Sequence, residues 1–171
     1  MTRRIYHVPH GTPYHQENSL RGIRKAAAEG YTSIDLDMQM TKDGVIVGTH
    51  WGQPMLRDGF RDPLLPLARK ARVADMKWRR VRRLRTKDGG YRIQRLETLL
   101  AECARLDIEA VLEPKSDPRF RTVATWQRIR VMQRVAKARI AAYALPELGG
   151  AESMKAAKEA GVKDAWVIRH G

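Results

Sequence analysis

The segment Ile34-Asp35-Leu36-Asp37-Met38 sets two carboxylates two residues apart among apolar neighbours. Side chains on a strand alternate between its faces. Asp35 and Asp37 therefore share one face, and Ile34, Leu36 and Met38 share the other. Like charges this close repel, and burying them is costly unless a cation or a base compensates. The plainer reading of the same pattern is the solvent-exposed face of an edge strand. A second segment, Ala110-Val111-Leu112-Glu113-Pro114-Lys115, ends an apolar run with another carboxylate and a lysine on one face. Charged groups that close a buried strand mark the rim of an active site in α/β proteins. Asp35, Asp37 and Glu113 offer oxygen ligands only, which suits Mg²⁺ or Ca²⁺ rather than zinc.

Two histidines belong with these carboxylates. His10 ends the first predicted strand and His50 ends the third, so parallel strands would raise both at the carboxylate end. Imidazole titrates near neutrality, and a pair can serve as general base and general acid across a reacting phosphorus. Either histidine alone reads more simply as a surface or structural residue; their coincidence with three carboxylates favours chemistry. His7, placed inside the first strand, and His15, in mid-loop, are rivals for the first role.

The elements that must hold these groups alternate along the chain. Strands are predicted over residues 5–9, 31–38, 45–49, 108–112, 140–144 and 165–168. Asn18 or Ser19 caps a helix running to about Glu29, on which Leu20, Ile23, Ala26 and Ala27 recur at helical spacing before Gly30 ends it. Thr41-Lys42-Asp43-Gly44 is a turn. Further helices are predicted over residues 96–106, 120–137 and 151–160, where Trp126 reads as core. Strands alternating with helices imply a parallel sheet or barrel with helices outside.

The chain has 171 residues, 43% of them apolar, as expected of one globular domain. It has no run long enough to cross a membrane, no signal-peptide pattern and a single cysteine, Cys103, which reads as a small core residue. These features predict an intracellular protein. The formal charge of +14 is the abnormal bulk property, and it draws polyanions without choosing among them. Between positions 69 and 87 there are ten Lys or Arg and one acid, Asp75. Val73, Met76, Val81 and Leu84 form a sparse apolar stripe there, so a basic helical insertion is predicted over about 69–90. Its arginines are either a solvated face or a contact for nucleic acid or anionic membrane.

The ordered series is more specific than any one motif. His10-Gly11, Glu17-Asn18-Ser19-Leu20, Gly30, Ile34-Asp35-Leu36-Asp37, Thr41-Lys42-Asp43-Gly44, the strand ending at His50, and Glu113-Pro114-Lys115 follow one another in this order. The series resembles the glycerophosphodiester phosphodiesterase family. That family typically shows His-Arg-Gly, Pro-Glu-Asn-Thr, Glu-Leu-Asp, Thr-Lys-Asp-Gly, a strand ending in His-Asp, and Glu-Ile-Lys. The resemblance covers roughly residues 5–116 and implies a TIM-barrel-like fold with its site at the C-terminal strand ends. It also implies metal-dependent hydrolysis of a glycerophosphodiester-like substrate. In that reading His10 and His50 form the acid–base pair, and Asp35, Asp37 and Glu113 hold Mg²⁺ or Ca²⁺. Lys115 contacts the phosphate, and Glu17 with Asn18 braces the substrate site. In many relatives a neighbouring substrate hydroxyl attacks first.

The sequence departs from the family pattern in four ways. No arginine follows His10, Asp35 replaces a glutamate, and Trp51 stands where aspartate is usual after the histidine. Trp51 either stacks on a substrate or packs, with packing the favoured reading. The fourth departure is length, since a full eight-stranded barrel usually needs about 200 residues or more. An incomplete barrel of about six strands is the expectation; either it closes with fewer strands or, the favoured reading, a second copy of the chain covers the gap. The alternative is a weak or inactive scaffold that binds polyanions through its basic surface.

Overall fold

The computed structural model describes residues 4–7, 13, 16–64 and 69–168. His10 and His15 lie outside these residues. The fold is built on strand β2 (Ser33–Met40), which is almost wholly buried. Its N-terminal half pairs in parallel with β1 (Ile5–Tyr6), and its C-terminal half pairs antiparallel with β3 (Ile46–Gly48). Along its other side runs β5 (Glu109–Pro114), parallel over six residue pairs from Ser33↔Glu109 to Met38↔Pro114. Strands β6 (Ile140–Ala144) and β7 (Ala165–Val167) continue the sheet in parallel, and β4 (Gln94–Arg95) pairs antiparallel with β3 at the opposite end. The described sheet thus has seven strands rather than six, and it is open.

Helices α1 (Leu20–Ala28), α4 (Leu96–Arg105), α5 (Val123–Ala136) and α6 (Gly150–Glu159) cover one face of the parallel part. The alternation read from the sequence decides which residues meet them. Ile34, Leu36 and Met38 of β2, Leu112 of β5 and Ala142 of β6 enter the main core. Asp35, Asp37, Val111, Glu113 and Tyr143 occupy the alternate positions and face the other way. Trp126 is fully buried in that core, and its indole N–H donates to the Phe120 carbonyl at 2.8 Å. Cys103 is also buried, and burial pushes its thiol up to about 12, so it stays protonated at neutral pH.

Two expectations need correction. The third strand is antiparallel to the second, not parallel. The turn from Thr41 to Val45, closed by Thr41 N–H to Val45 O at 2.9 Å, is far too short for a parallel crossover. Nor do residues 69–87 form one helix. They hold a single 3₁₀ turn (Val73–Asp75) and one turn of helix α3 (Trp78–Val81). Two backbone groups that a helix would use are taken by the preceding turn. Trp78 N–H donates to Asp43 Oδ1 at 2.8 Å, and Lys42 N–H donates to Met76 O at 2.9 Å. Repulsion between basic residues three and four apart also opposes a continuous helix. The apolar stripe is nonetheless buried. Val73, Met76, Val81 and Leu84 pack with Val47 of β3, Phe60 and Ile93 into a second, smaller core. Short helix α2 (Pro54–Arg57) adds Met55 to it.

Helix α1 is tied to α4 by charge as well as by packing. Glu102 accepts from Arg24 Nε at 2.6 Å and from Arg105 at 2.8 and 2.9 Å. The Arg105 and Arg24 guanidiniums hold the Glu102 carboxyl down at about 2. A carboxyl whose folded-state pKa is depressed stabilises the fold above its unfolded value, and loses that effect as pH falls through the folded one. Glu102→Gln should therefore lower the melting temperature by a few degrees at neutral pH (of the order expected for about 1 kcal/mol). Thermal melts of both proteins should converge as pH falls from about 4.5 toward 2.

Candidate active site

The site lies on the sheet face turned away from the helices. Asp35, Asp37 and Glu113 are 1%, 1% and 4% exposed, which rules out the exposed edge-strand reading of the aspartates. The parallel register sets Asp37 directly opposite Glu113. One oxygen from each of the three carboxylates lies within 4.8 Å of the others. Burial, reinforced by the charges of Asp37, Glu113 and Glu17, pushes the Asp35 carboxyl well above the usual range. Burial also raises Glu113, against the pull of Lys115 and with the push of Asp37.

Lys115 answers part of this negative charge. Its Nζ sits 2.6 Å from Asp37 Oδ1 and 2.5 Å from Glu113 Oε2. Burial alone would lower the ammonium pKa, but Asp37 and Glu113 outweigh it and hold it above the ordinary lysine value. Asn18 fixes Asp37 from the other side. Its amide donates to Asp37 Oδ2 at 2.6 Å, while its carbonyl accepts from Asp37 N–H at 2.8 Å. Both ends of the Asn18 side chain thus hold Asp37 in place. The loop that brings it in is anchored by Ser19, which caps α1 through Gly22 N–H at 3.0 Å. Gly22 is required there, because a Cβ would fall 2.0 Å from Gln16 O.

Tyr143, which the sequence reading missed, stands on β6 facing the cluster. Its hydroxyl is 2.9 Å from both Asp35 Oδ2 and Glu113 Oε2. A phenol has one proton to donate, so it serves only one of these oxygens at a time. Asp35 Oδ1 and Glu113 Oε1 are buried with no hydrogen-bond partner among the described residues. Unsatisfied carboxylate oxygens converging from two adjacent strands fit a hard divalent cation. Asp35, Asp37 and Glu113 are the residues that would hold it. The only sequence signal for Tyr143 was its place as the one polar side chain in Ile140–Ala144.

His7 ends up beside the carboxylates. Strand β1 stops at Tyr6, so His7 follows the strand instead of lying within it. Its Nε2 is 3.6 Å from Asp35 Oδ2 and its Nδ1 is 3.7 Å from Glu17 Oε2, with Glu17 itself fully buried. His50 approaches by the antiparallel return of β3. Thr49 N–H donates to Asp37 O at 3.1 Å, and Gln39 of β2 donates to the His50 carbonyl at 3.1 Å. Burial pushes the His50 imidazole down to about 4. The positive charge of Lys115 adds to this, partly offset by Glu113, and His7 lowers it further. His50 is therefore neutral at neutral pH. Trp51 packs edge-on against its ring at 4.4 Å between centroids, while the Arg57 guanidinium lies over the indole. Asp58, a second residue not anticipated, is buried nearby, and burial with the charge of Asp37 pushes its carboxyl up to about 7.

The sequence profile of the glycerophosphoryl diester phosphodiesterase family matches residues 10–162. The chain belongs to this family. Solved structures similar to this family member include a glycerophosphodiester phosphodiesterase from Parabacteroides distasonis, at 19% identity and a TM-score of 0.69. The match covers 96% of this chain and 61% of that one. A glycerophosphodiester phosphodiesterase from Agrobacterium tumefaciens matches at 15% identity and a TM-score of 0.70, over 98% and 67% of the two chains. A phosphodiesterase from Oleispira antarctica, in complex with the product sn-glycerol-3-phosphate, matches at 13% identity and a TM-score of 0.69, over 90% and 59%. At these identities the likeness establishes a common TIM-barrel-like fold. The chain thus spans about 60% to two thirds of these relatives' length. No curated protein sequence matches it. No described helix is long and apolar enough to cross a membrane.

A cation bound by the three carboxylates should stabilise the folded state by mass action. Thermal melts with Mg²⁺ or Ca²⁺ should rise with concentration, and Glu113→Gln should abolish the rise. Lys115→Met should enlarge it, since the competing ammonium is gone. No shift with either ion would argue against a cation site.

Proposed function

We propose that this chain hydrolyses a phosphodiester of the glycerophosphodiester class, with His50 and His7 as its proton-transfer pair. The observation that supports this most is the convergence of two imidazoles, three buried carboxylates and one buried ammonium from segments far apart in sequence. Family membership and a neighbour holding sn-glycerol-3-phosphate favour the same substrate class.

Asp35, Asp37 and Glu113 would hold Mg²⁺ or Ca²⁺, which when bound supplies charge neutralisation to the phosphate oxygens. Lys115 gives two N–H groups to carboxylates and keeps a third for a non-bridging phosphate oxygen. His50, neutral at working pH, accepts the proton of the attacking hydroxyl, whether from water or from the substrate's own neighbouring alcohol. The leaving oxygen then takes a proton from the second histidine. We assign that role to His7 rather than His10, because the His7 ring already faces Asp35 and Glu17. These carboxylates orient the imidazole toward the site. Asn18 keeps Asp37 aimed, and Tyr143 keeps Asp35 and Glu113 together.

The test is hydrolysis of a glycerophosphodiester with Mg²⁺ or Ca²⁺, following release of glycerol phosphate. His50→Ala and His7→Ala should each lower kcat by about 10²–10⁴-fold, the usual worth of one proton-transfer group. His10→Ala should cost far less. A large loss from His10→Ala with His7→Ala near wild type would reverse the assignment. Activity indifferent to chelator and to His50→Ala would sink the whole reading.

A further inference from the structure

Away from the carboxylate cluster, the basic insertion forms a groove of about 390 Å³ lined by Trp78, Arg82, Arg83, Arg85, Arg92 and Ile93. The backbone brings the like charges together. Arg85 bridges antiparallel to Arg61 on one side and to Arg92 on the other. Arg85 N–H donates to Arg61 O at 3.0 Å, and Arg61 N–H donates to Arg85 O at 2.8 Å. Only Arg83 among the groove arginines has a carboxylate partner within ion-pair distance among the described residues, Asp62 at 2.9 Å. The Nε atoms of Arg83 and Arg85 are buried and have no acceptor among the described residues. Guanidiniums crowded in this way repel each other, a cost that an anion bound at their exposed ends would offset.

An apolar feature adjoins the groove. Asp62 accepts from Arg83 on one oxygen and from Leu64 N–H at 3.0 Å on the other, so one carboxylate fastens the Leu64 turn to the groove wall. Leu64 is 71% exposed, second only to Val135 among the large apolar side chains of the described residues. Arginines beside a tryptophan and a protruding leucine match the boundary between phosphate headgroups and acyl chains. A nucleic-acid strand would call for successive aromatic platforms, and among the described residues Trp78 is the one aromatic side chain lining the groove.

We propose that this groove docks the protein on an anionic phospholipid surface, with arginines on lipid phosphates and Leu64 and Trp78 at the headgroup–acyl boundary. The docking site is separate from the carboxylate cluster and does not depend on the chain being a phosphodiesterase. The experiment is co-sedimentation of the full chain with phosphatidylcholine vesicles, with and without phosphatidylserine, across a range of salt. Binding should require phosphatidylserine and weaken as salt rises. The double variant Arg82→Gln/Arg92→Gln alters two exposed side chains and should preserve the fold. It should bind at least about tenfold more weakly, taking roughly fivefold per basic group. Leu64→Ser should also weaken binding while leaving the salt dependence unchanged. Circular dichroism and thermal melts of each variant separate lost binding from lost folding. Binding of the folded variants equal to wild type would overturn the proposal. So would absence of binding to phosphatidylserine vesicles, or tighter binding to a single-stranded oligonucleotide than to vesicles at matched salt.

Discussion

The rest of the fold is arranged around a concentration of negative charge that water does not solvate. Asp35, Asp37 and Glu113 are buried together, and the Lys115 ammonium, the Asn18 amide and the Tyr143 hydroxyl offset part of their electrostatic cost. These groups come from four separate segments of the chain. Asn18 stands before α1, Asp35 and Asp37 lie on β2, Glu113 and Lys115 close β5, and Tyr143 lies on β6. The β2–β5 register sets Asp37 against Glu113, and a slip of one residue would turn the carboxylates into the apolar core. The helices hold that register by burying the opposite side-chain rows of the same strands. Core packing and site geometry are thus one constraint seen from the two faces of a sheet.

The compensation within the cluster is incomplete, and this incompleteness has a chemical direction. One ammonium cannot neutralise three carboxylates, and one phenol proton cannot serve two oxygens. Oxygens left without partners in a buried place remain poised for a proton or a cation. The same burial keeps His50 uncharged and therefore able to accept a proton. A site suited to neutralising phosphate oxygens and moving protons beside them follows from under-solvated charge, with no need for strained backbone.

The basic insertion shows the opposite balance. Its apolar residues pack behind β3 as a small second core, which leaves its arginines crowded on the outer side. Cationic excess there and anionic excess at the strand ends occupy different parts of one chain. The formal charge of +14 averages over both.

Much of this was legible in the residues themselves. Period-two alternation identified the shared face of Asp35 and Asp37, because a strand's geometry is local. Helix caps, turn residues and the ordered motifs likewise pointed to strands, helices and family without any contact information. The apolar stripe of the insertion was readable, but its helix was not. There, the turn at Asp43 captured the backbone N–H of Trp78, a contact 35 residues away in sequence. Sequence left His7 and His10 as rivals, since the apolar pattern over residues 5–9 does not say where the strand's last pair falls. Tyr143 and Asp58 were invisible for the same kind of reason. A tyrosine in an alanine-rich strand acquires meaning only when another strand carries Asp35 to its hydroxyl. The chain by itself determined which residues could share a face. Tertiary structure decided which faces meet and how much water is excluded between them, because desolvation depends on neighbours that the local sequence does not contain.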